Sequence, residues 1–146
     1  MNLITSKDNS TIKHAHALLT HHRTRKKSGQ TVIEGVHLLD AFLKQGLTPH
    51  KVILSESTFK NDEVAPLLAN IAKKDIIITS NALYKDIRTL GDGVDIMAII
   101  DTPTPTLGDV VGDCLILDGL QDAGNIGTLL RTASAVGITT IITTPA

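Results

Sequence analysis

The sequence predicts an α/β protein built on a mainly parallel sheet. Short apolar, β-branched runs alternate with segments of helical period along the chain. A threonine- and proline-rich stretch interrupts the alternation, and beyond it the pattern restarts as strand, loop, helix and strand. Phe42, Phe59 and Tyr84 are the only aromatics, so the core must be aliphatic, and a face that stacks bases on rings is disfavoured.

Each element has its own signal. Residues 9–25 read as a helix with Ile12, Ala15 and Leu19 on one face and capping chemistry from Asp8, Asn9 and Ser10. Thr31 to Glu34 is a short β-rich run. Val36 to Gln45 reads as a helix stopped by Gly46. Lys51 to Ser55 is a strand, and Glu63 to Lys74 reads as a helix that tolerates Pro66 in its first turn. Ile76 to Thr79 is apolar enough to be buried on both faces. A short helix over Asn81 to Leu90 and a strand over Val94 to Ile100 complete the first part.

Asp101 to Gly108 carries two prolines and three threonines and reads as a semi-extended linker. The predicted division is residues 1–100, a linker at 101–111, and residues 112–146. The last part reads as one βαβ unit: a strand over Cys114 to Asp118, a glycine-bounded loop, a helix from Asn125 to Val136 closed by Gly137, and a strand over Thr139 to Thr143. Two strands and one helix cannot enclose a core of their own. The expectation is that the domain continues past Ala146 or that something else covers its edge.

Charge is distributed unevenly. Residues 1–60 hold nine Lys/Arg against four Asp/Glu, a balance of +5, and residues 61–146 hold five against eleven, a balance of −6. A basic front half suits a polyanion, because lysine and arginine release counterions when they meet phosphates. All six histidines lie in the first 50 residues. His14, His16, His21 and His22 lack the i,i+4 spacing that sets two ligands on one helical face, so no metal site is expected. The single cysteine, Cys114, allows no internal disulfide and reads as a small buried strand residue. No apolar run approaches the roughly 20 residues that span a bilayer, and no signal-peptide layout opens the chain. The expected location is the cytoplasm.

The loop before the last helix carries most of the chemistry. Asn125 is placed as the helix N-cap. Gly124 and Gly127 clear side chains from the helix mouth, which is electropositive and suits a phosphate. Arg131 stands on the face of Gly127 and Thr128, and helical side chains lean toward the N-terminus, so its guanidinium can reach back over the loop. Such an arginine can hold a phosphate with two parallel hydrogen bonds. The dinucleotide fingerprint and the P-loop both fail: only Gly124-x-x-Gly127 is present, and Asn125-Ile126 stand where a P-loop needs Lys-Ser/Thr.

The stretch from Leu117 to Ala133 (Leu-Asp-Gly-Leu-Gln-Asp-Ala-Gly-Asn-Ile-Gly-Thr-Leu-Leu-Arg-Thr-Ala) closely resembles the first conserved motif of the SpoU/TrmH family of RNA ribose methyltransferases. Ser6 to Lys13, Arg23 to Lys27 and Val32 to Gly35 resemble that family's N-terminal substrate-binding domain in content and order. One departure is Ala123, where the family usually has proline.

The resemblance implies an L30e-like α/β/α RNA-binding domain, then the first βαβ unit of a knotted SPOUT domain, truncated before the knot. It implies S-adenosylmethionine-dependent transfer of a methyl group to a ribose 2′-hydroxyl of ribosomal or transfer RNA, by a homodimer. Arg131 and Asn125 would be the catalytic residues. Lys7, Asn9, Lys13, Arg23, Arg25, Lys26, Lys27, Gly124 and Gly127 would meet RNA. The cofactor site is expected beyond Ala146, so these residues alone are expected to be inactive. Two other readings stand beside this one: a non-catalytic RNA-binding module, and an inactive paralogue that pairs with a complete enzyme.

Overall fold

The computed structural model describes residues 3–91, 93–104, 108, 110 and 112–144. The chain divides into two compact units, Met1–Pro103 and Thr104–Ala146.

In the first unit the elements are β1 (Leu3–Ile4), α1 (Ser10–Thr20), α2 (His22–Ser28), β2 (Gln30–Glu34), α3 (Val36–Lys44), β3 (Lys51–Ser55), α4 (Glu56–Phe59), α5 (Ala65–Leu68), β4 (Ile76–Thr79), α6 (Asn81–Ile87) and β5 (Ile96–Asp101). The five strands lie in the order β1-β4-β3-β5-β2. β1, β3 and β4 pair in parallel, while β5 runs antiparallel to both β3 and β2. Four strands therefore point one way and β5 alone opposes them. The expected mainly parallel sheet is a mixed one, because alternation of helix and strand fixes spacing but not strand direction.

The period of two along each strand sorts the aliphatic residues onto the two faces. Val52, Leu54, Ile96, Ala98 and Ile100 face one way and pack with Leu39 of α3, Val64 and Ile71. Ile53, Met97 and Ile99 face the other way and pack with Ile12, Ala15 and Leu18 of α1 and with Leu83, Tyr84 and Ile87 of α6. The result is helices over both faces of one sheet.

Three expected helices are shorter than the pattern implied. The segment 9–25 breaks at His21, which is extended at φ −121°, ψ 108°. Thr20 Oγ1 bonds back to the His16 carbonyl at 2.7 Å, and Arg25 donates to the carbonyls of Leu18 and Leu19, so the end of α1 is closed by side chains. The expected helix over Glu63 to Lys74 is helical only over Ala65–Leu68, with a 3-10 turn at Lys73–Asp75. Asn70 is a poor helix former, and the Ile71 amide turns back to Leu68 to deliver Ile71 to the core. α6 ends at Ile87 rather than Leu90. β1 and α4, which are two and four residues long, lacked a sequence signal.

The second unit holds β6 (Cys114–Leu117), α7 (Ala123–Ala135) and β7 (Thr140–Thr143). β6 and β7 pair in parallel, with Cys114 opposite Thr140 and Leu117 opposite Thr143. Gly137, at φ +82°, closes α7. Leu117 and Ala133 are its buried hydrophobics among the described residues, whereas Ile116 is 60% and Val136 69% exposed. Cys114 corrects the sequence reading: it is exposed, on the same strand face as Ile116, because one helix covers only one side of a two-stranded sheet.

Candidate nucleic-acid interface and catalytic loop

The first candidate site is the basic helix α2 in the first unit. Arg23, Lys26 and Lys27 are exposed on it and make no ion pair among the described residues. Gly29, at φ +66°, ends the helix, so Lys26 and Lys27 sit in a last turn where the dipole favours cations. His14, Arg23, Thr24, Lys27 and Ser28 line an open hollow beside it.

The other predicted contacts are differently placed. Arg25 is half-buried and spends Nη1 on the α1 carbonyls, at 2.7 Å from Leu18 and 3.3 Å from Leu19. Asn9 caps α1, its side chain accepting from the amides of Thr11 and Ile12. Lys7 pairs with Asp86 at 3.0 Å and Lys13 with Asp8 at 2.7 Å, both pairs open to solvent. The Lys13 ammonium holds the Asp8 carboxyl below its ordinary value. Three of the seven front residues thus present uncommitted cations, and four have structural partners.

The second candidate site is the turn between β6 and α7. Thr144 ties its base: the Thr144 amide donates to the Leu117 carbonyl at 3.1 Å, and Thr144 Oγ1 accepts from the Gly119 amide at 2.9 Å while donating to Asp118 Oδ1 at 2.5 Å. Asp122, not Asn125, is the N-cap, accepting the Asn125 amide at 2.6 Å. The helix starts two residues before the expected position, because Asp122 caps as well as asparagine does and Ala123 is a good helix former. Asn125 falls at the third helical position, exposed, and its side-chain amide makes no hydrogen bond among the described residues. Gly124 has a local reason: a Cβ there would stand 3.2 Å from the capping oxygen of Asp122.

Arg131 leans back along α7. Its Nη2 lies 3.4 Å from Thr128 Oγ1, and its Nη1 lies 3.8 Å from where a Gly127 Cβ would be. Thr128 in turn donates to the Gly124 carbonyl at 3.0 Å. The guanidinium makes no ion pair among the described residues, so most of its five donors remain available. Arg131, Thr128 and the mouth of α7 form a donor surface suited to a phosphate or another anion. The donor set does not fit S-adenosylmethionine: residues 118–125 are all exposed, and an open turn offers no walls for a purine.

The fold is that of RNA methyltransferases. A solved RNA 2′-O ribose methyltransferase superposes on 99% of this chain and 56% of its own, with a TM-score of 0.81 at 24% identity. The SpoU methyltransferase AviRb of Streptomyces viridochromogenes, solved with AdoMet, matches 92% of this chain and 52% of its own, with a TM-score of 0.76 at 19% identity. Residues 9–98 match the MRM3-like substrate binding domain. A tRNA/rRNA methyltransferase of Synechocystis is 35% identical over 145 residues, covering 92% of this chain and 50% of that protein. The 23S rRNA (guanosine(2553)-2′-O)-methyltransferase of Bacillus subtilis is 26% identical, over 97% of this chain and 54% of its own length. The chain belongs to the SpoU/TrmH family of RNA methyltransferases and spans about half the length of these two relatives.

Proposed function

We propose that the whole protein is an S-adenosylmethionine-dependent RNA 2′-O-ribose methyltransferase acting as a homodimer on ribosomal or transfer RNA. In this reading residues 1–100 are an L30e-like RNA-binding domain, and residues 112–146 open a knotted catalytic domain. The observation that carries it is the Arg131 guanidinium lying back over Gly127 and Thr128 at the mouth of α7.

That geometry suits a phosphodiester beside the reacting ribose. In the whole protein S-adenosylmethionine would supply the methyl group, and the 2′-hydroxyl would give up its proton to the RNA phosphate or to solvent. A guanidinium already carries its full complement of protons and does not take that one. Arg131 instead fixes the phosphate and, with it, the line of attack. The side-chain amide of Asn125, six residues before Arg131 on α7 and without a hydrogen bond among the described residues, can orient the same nucleotide. The described residues do not build a seat for that cofactor.

The 146 residues alone are expected to transfer no methyl group. Joined to the C-terminal half of the Synechocystis relative, they should methylate RNA, read by label from S-adenosylmethionine and by resistance of the modified linkage to alkali. Arg131→Ala should then lower the rate by about 100-fold, the loss typical of one transition-state donor. Equal rates with and without Arg131 would sink the reading.

A further inference from the structure

A cavity of about 480 Å³ opens in the first unit where β2 ends and β5 begins. Because four strands point the same way, this is the carboxyl-end side of the sheet, where open α/β sheets take ligands. The volume lies within the roughly 300–1000 Å³ of small-ligand sites. Val36 and Val94 supply apolar walls, and Glu34, His37, Tyr84, Arg88 and Asp95 supply the polar groups. Gly35, at φ +98°, turns the chain into α3 at the rim with no side chain in the way.

The polar groups are arranged to accept rather than to hold a phosphate. The Glu34 carboxylate accepts from the amide of Thr89 at 3.1 Å and from the Thr89 hydroxyl. Each oxygen keeps a further lone pair. Arg88 is paired to Asp95 at 3.0 Å, with both side chains mostly buried. Among the described lining residues two carboxylates face one guanidinium, a balance that disfavours phosphate. Tyr84 is 2% exposed, borders the cavity, and makes no hydrogen bond through its hydroxyl among the described residues. Burial first, then the Glu34 and Asp95 carboxylates, keep that phenol protonated well above its ordinary range, so it remains a donor.

A flat, uncharged ring with two adjacent donors on one edge and acceptors on another matches this set. Sequence-specific RNA recognition works on such edges of unstacked bases. We infer that the cavity receives one unpaired guanine, its N1–H and N2–H donating to Glu34 and its ring acceptors meeting the Tyr84 hydroxyl. The inference rests on the reading that the first unit binds RNA. The basic helix α2 precedes the opposite end of β2, about 13 Å away at 3.3 Å per residue, so one RNA strand can use both.

Tyr84 is the only tyrosine and the chain has no tryptophan, so its intrinsic fluorescence reports this cavity directly. The test titrates the 146-residue chain with five-nucleotide uridine oligomers carrying G, A, C or U at the centre. The G oligomer should bind about tenfold more tightly than the others, as one bidentate base contact allows, and should change the Tyr84 emission. Glu34→Gln keeps an acceptor for Thr89 but faces the guanine N–H with a donor, and should erase the preference. Tyr84→Phe, followed by anisotropy of a labelled oligomer, should weaken the G oligomer alone. Changing Arg23, Lys26 and Lys27 to alanine should weaken all four equally. Binding of all four without a G preference, or a preference that survives both Glu34→Gln and Tyr84→Phe, overturns the guanine site alone. Failure of every oligomer to bind overturns the RNA reading and the cavity with it.

Discussion

Raising the pH beyond the ordinary tyrosine range should destabilise the first unit through a single side chain. Tyr84 sits 2% exposed among Ile12, Ile53, Leu83 and Met97, on the border of the cavity. Its proton is held far more tightly than in an exposed tyrosine, by burial and then by the Glu34 and Asp95 carboxylates, with Arg88 opposing them weakly. The unfolded chain releases the same proton near pH ~10. The folded pKa is therefore raised, so the stabilisation is complete below pH ~10 and is lost as the pH climbs toward the folded value. One proton gives a slope of about 1.4 kcal/mol per pH unit. Between pH ~10 and ~11.5 the loss reaches about 2 kcal/mol, a large part of the 5–15 kcal/mol typical of a domain.

With one tyrosine and no tryptophan, near-ultraviolet absorbance of the tyrosinate follows this residue alone. Its appearance should coincide with the loss of far-ultraviolet circular dichroism. Tyr84→Phe should lose that part of the alkaline slope, and comparison at equal pH removes the contribution of the lysines. A phenolate appearing near pH ~10 while the circular dichroism stays native would refute the placement of Tyr84.

Three further outcomes follow from the candidate sites. Replacing Arg23, Lys26 and Lys27 with alanine should flatten the plot of log affinity for single-stranded RNA against log salt by about 2, at roughly 0.7 for each phosphate no longer neutralised; an unchanged slope in electrophoretic shifts at several salt concentrations would clear α2 of RNA binding. Arg25→Ala should lower the melting temperature more than the RNA affinity, because it removes charge-assisted hydrogen bonds worth about 1.5–3 kcal/mol from the end of α1. Ala123→Pro should stabilise α7 by about 0.4–1 kcal/mol and slow amide exchange over Ile126 to Arg131 by roughly two- to fivefold. Asp122, at φ −79°, ψ 112°, already has the extended geometry a following proline demands, and the amide of a first helical residue has no intrahelical partner to lose; faster exchange in the variant would show the helix start misplaced.

Much of this molecule was legible in the chain because its elements repeat a local rule. The strands β3, β4 and β5 announced themselves as β-branched runs, α1 as a three- and four-residue spacing, and α3 by its glycine stop. What was not legible is what depends on distant partners. Nothing local in Ile96 to Asp101 says that this strand opposes its neighbours; the direction is set by pairing with β2 and β3, which lie far earlier in the chain. Arg25 looks like its neighbours in a basic run, and only the turn at His21 reveals that it closes the preceding helix. Glu34 ends β2 with no local sign of its partner, Thr89, 55 residues on. Asn125 was displaced as a cap by Asp122 because both residue types cap well and the choice is made by where the helix begins.

That displacement changes what Asn125 can do. As an N-cap its oxygen would be committed to the backbone, and any role with RNA would compete with holding the helix start. With Asp122 taking the cap, and Gly124 leaving that carboxylate room, the helix start is secured without Asn125. Arg131 is in the same position, since its one side-chain hydrogen bond among the described residues is a 3.4 Å approach to Thr128. The turn therefore separates the groups that build it, Asp122, Gly124 and Thr144, from those that face outward, Asn125 and Arg131. Asp122→Ala and Asn125→Ala distinguish the two kinds. Loss of the cap should cost about 1 kcal/mol of helix stability, whereas loss of the Asn125 amide should leave α7 intact and affect only what binds over it.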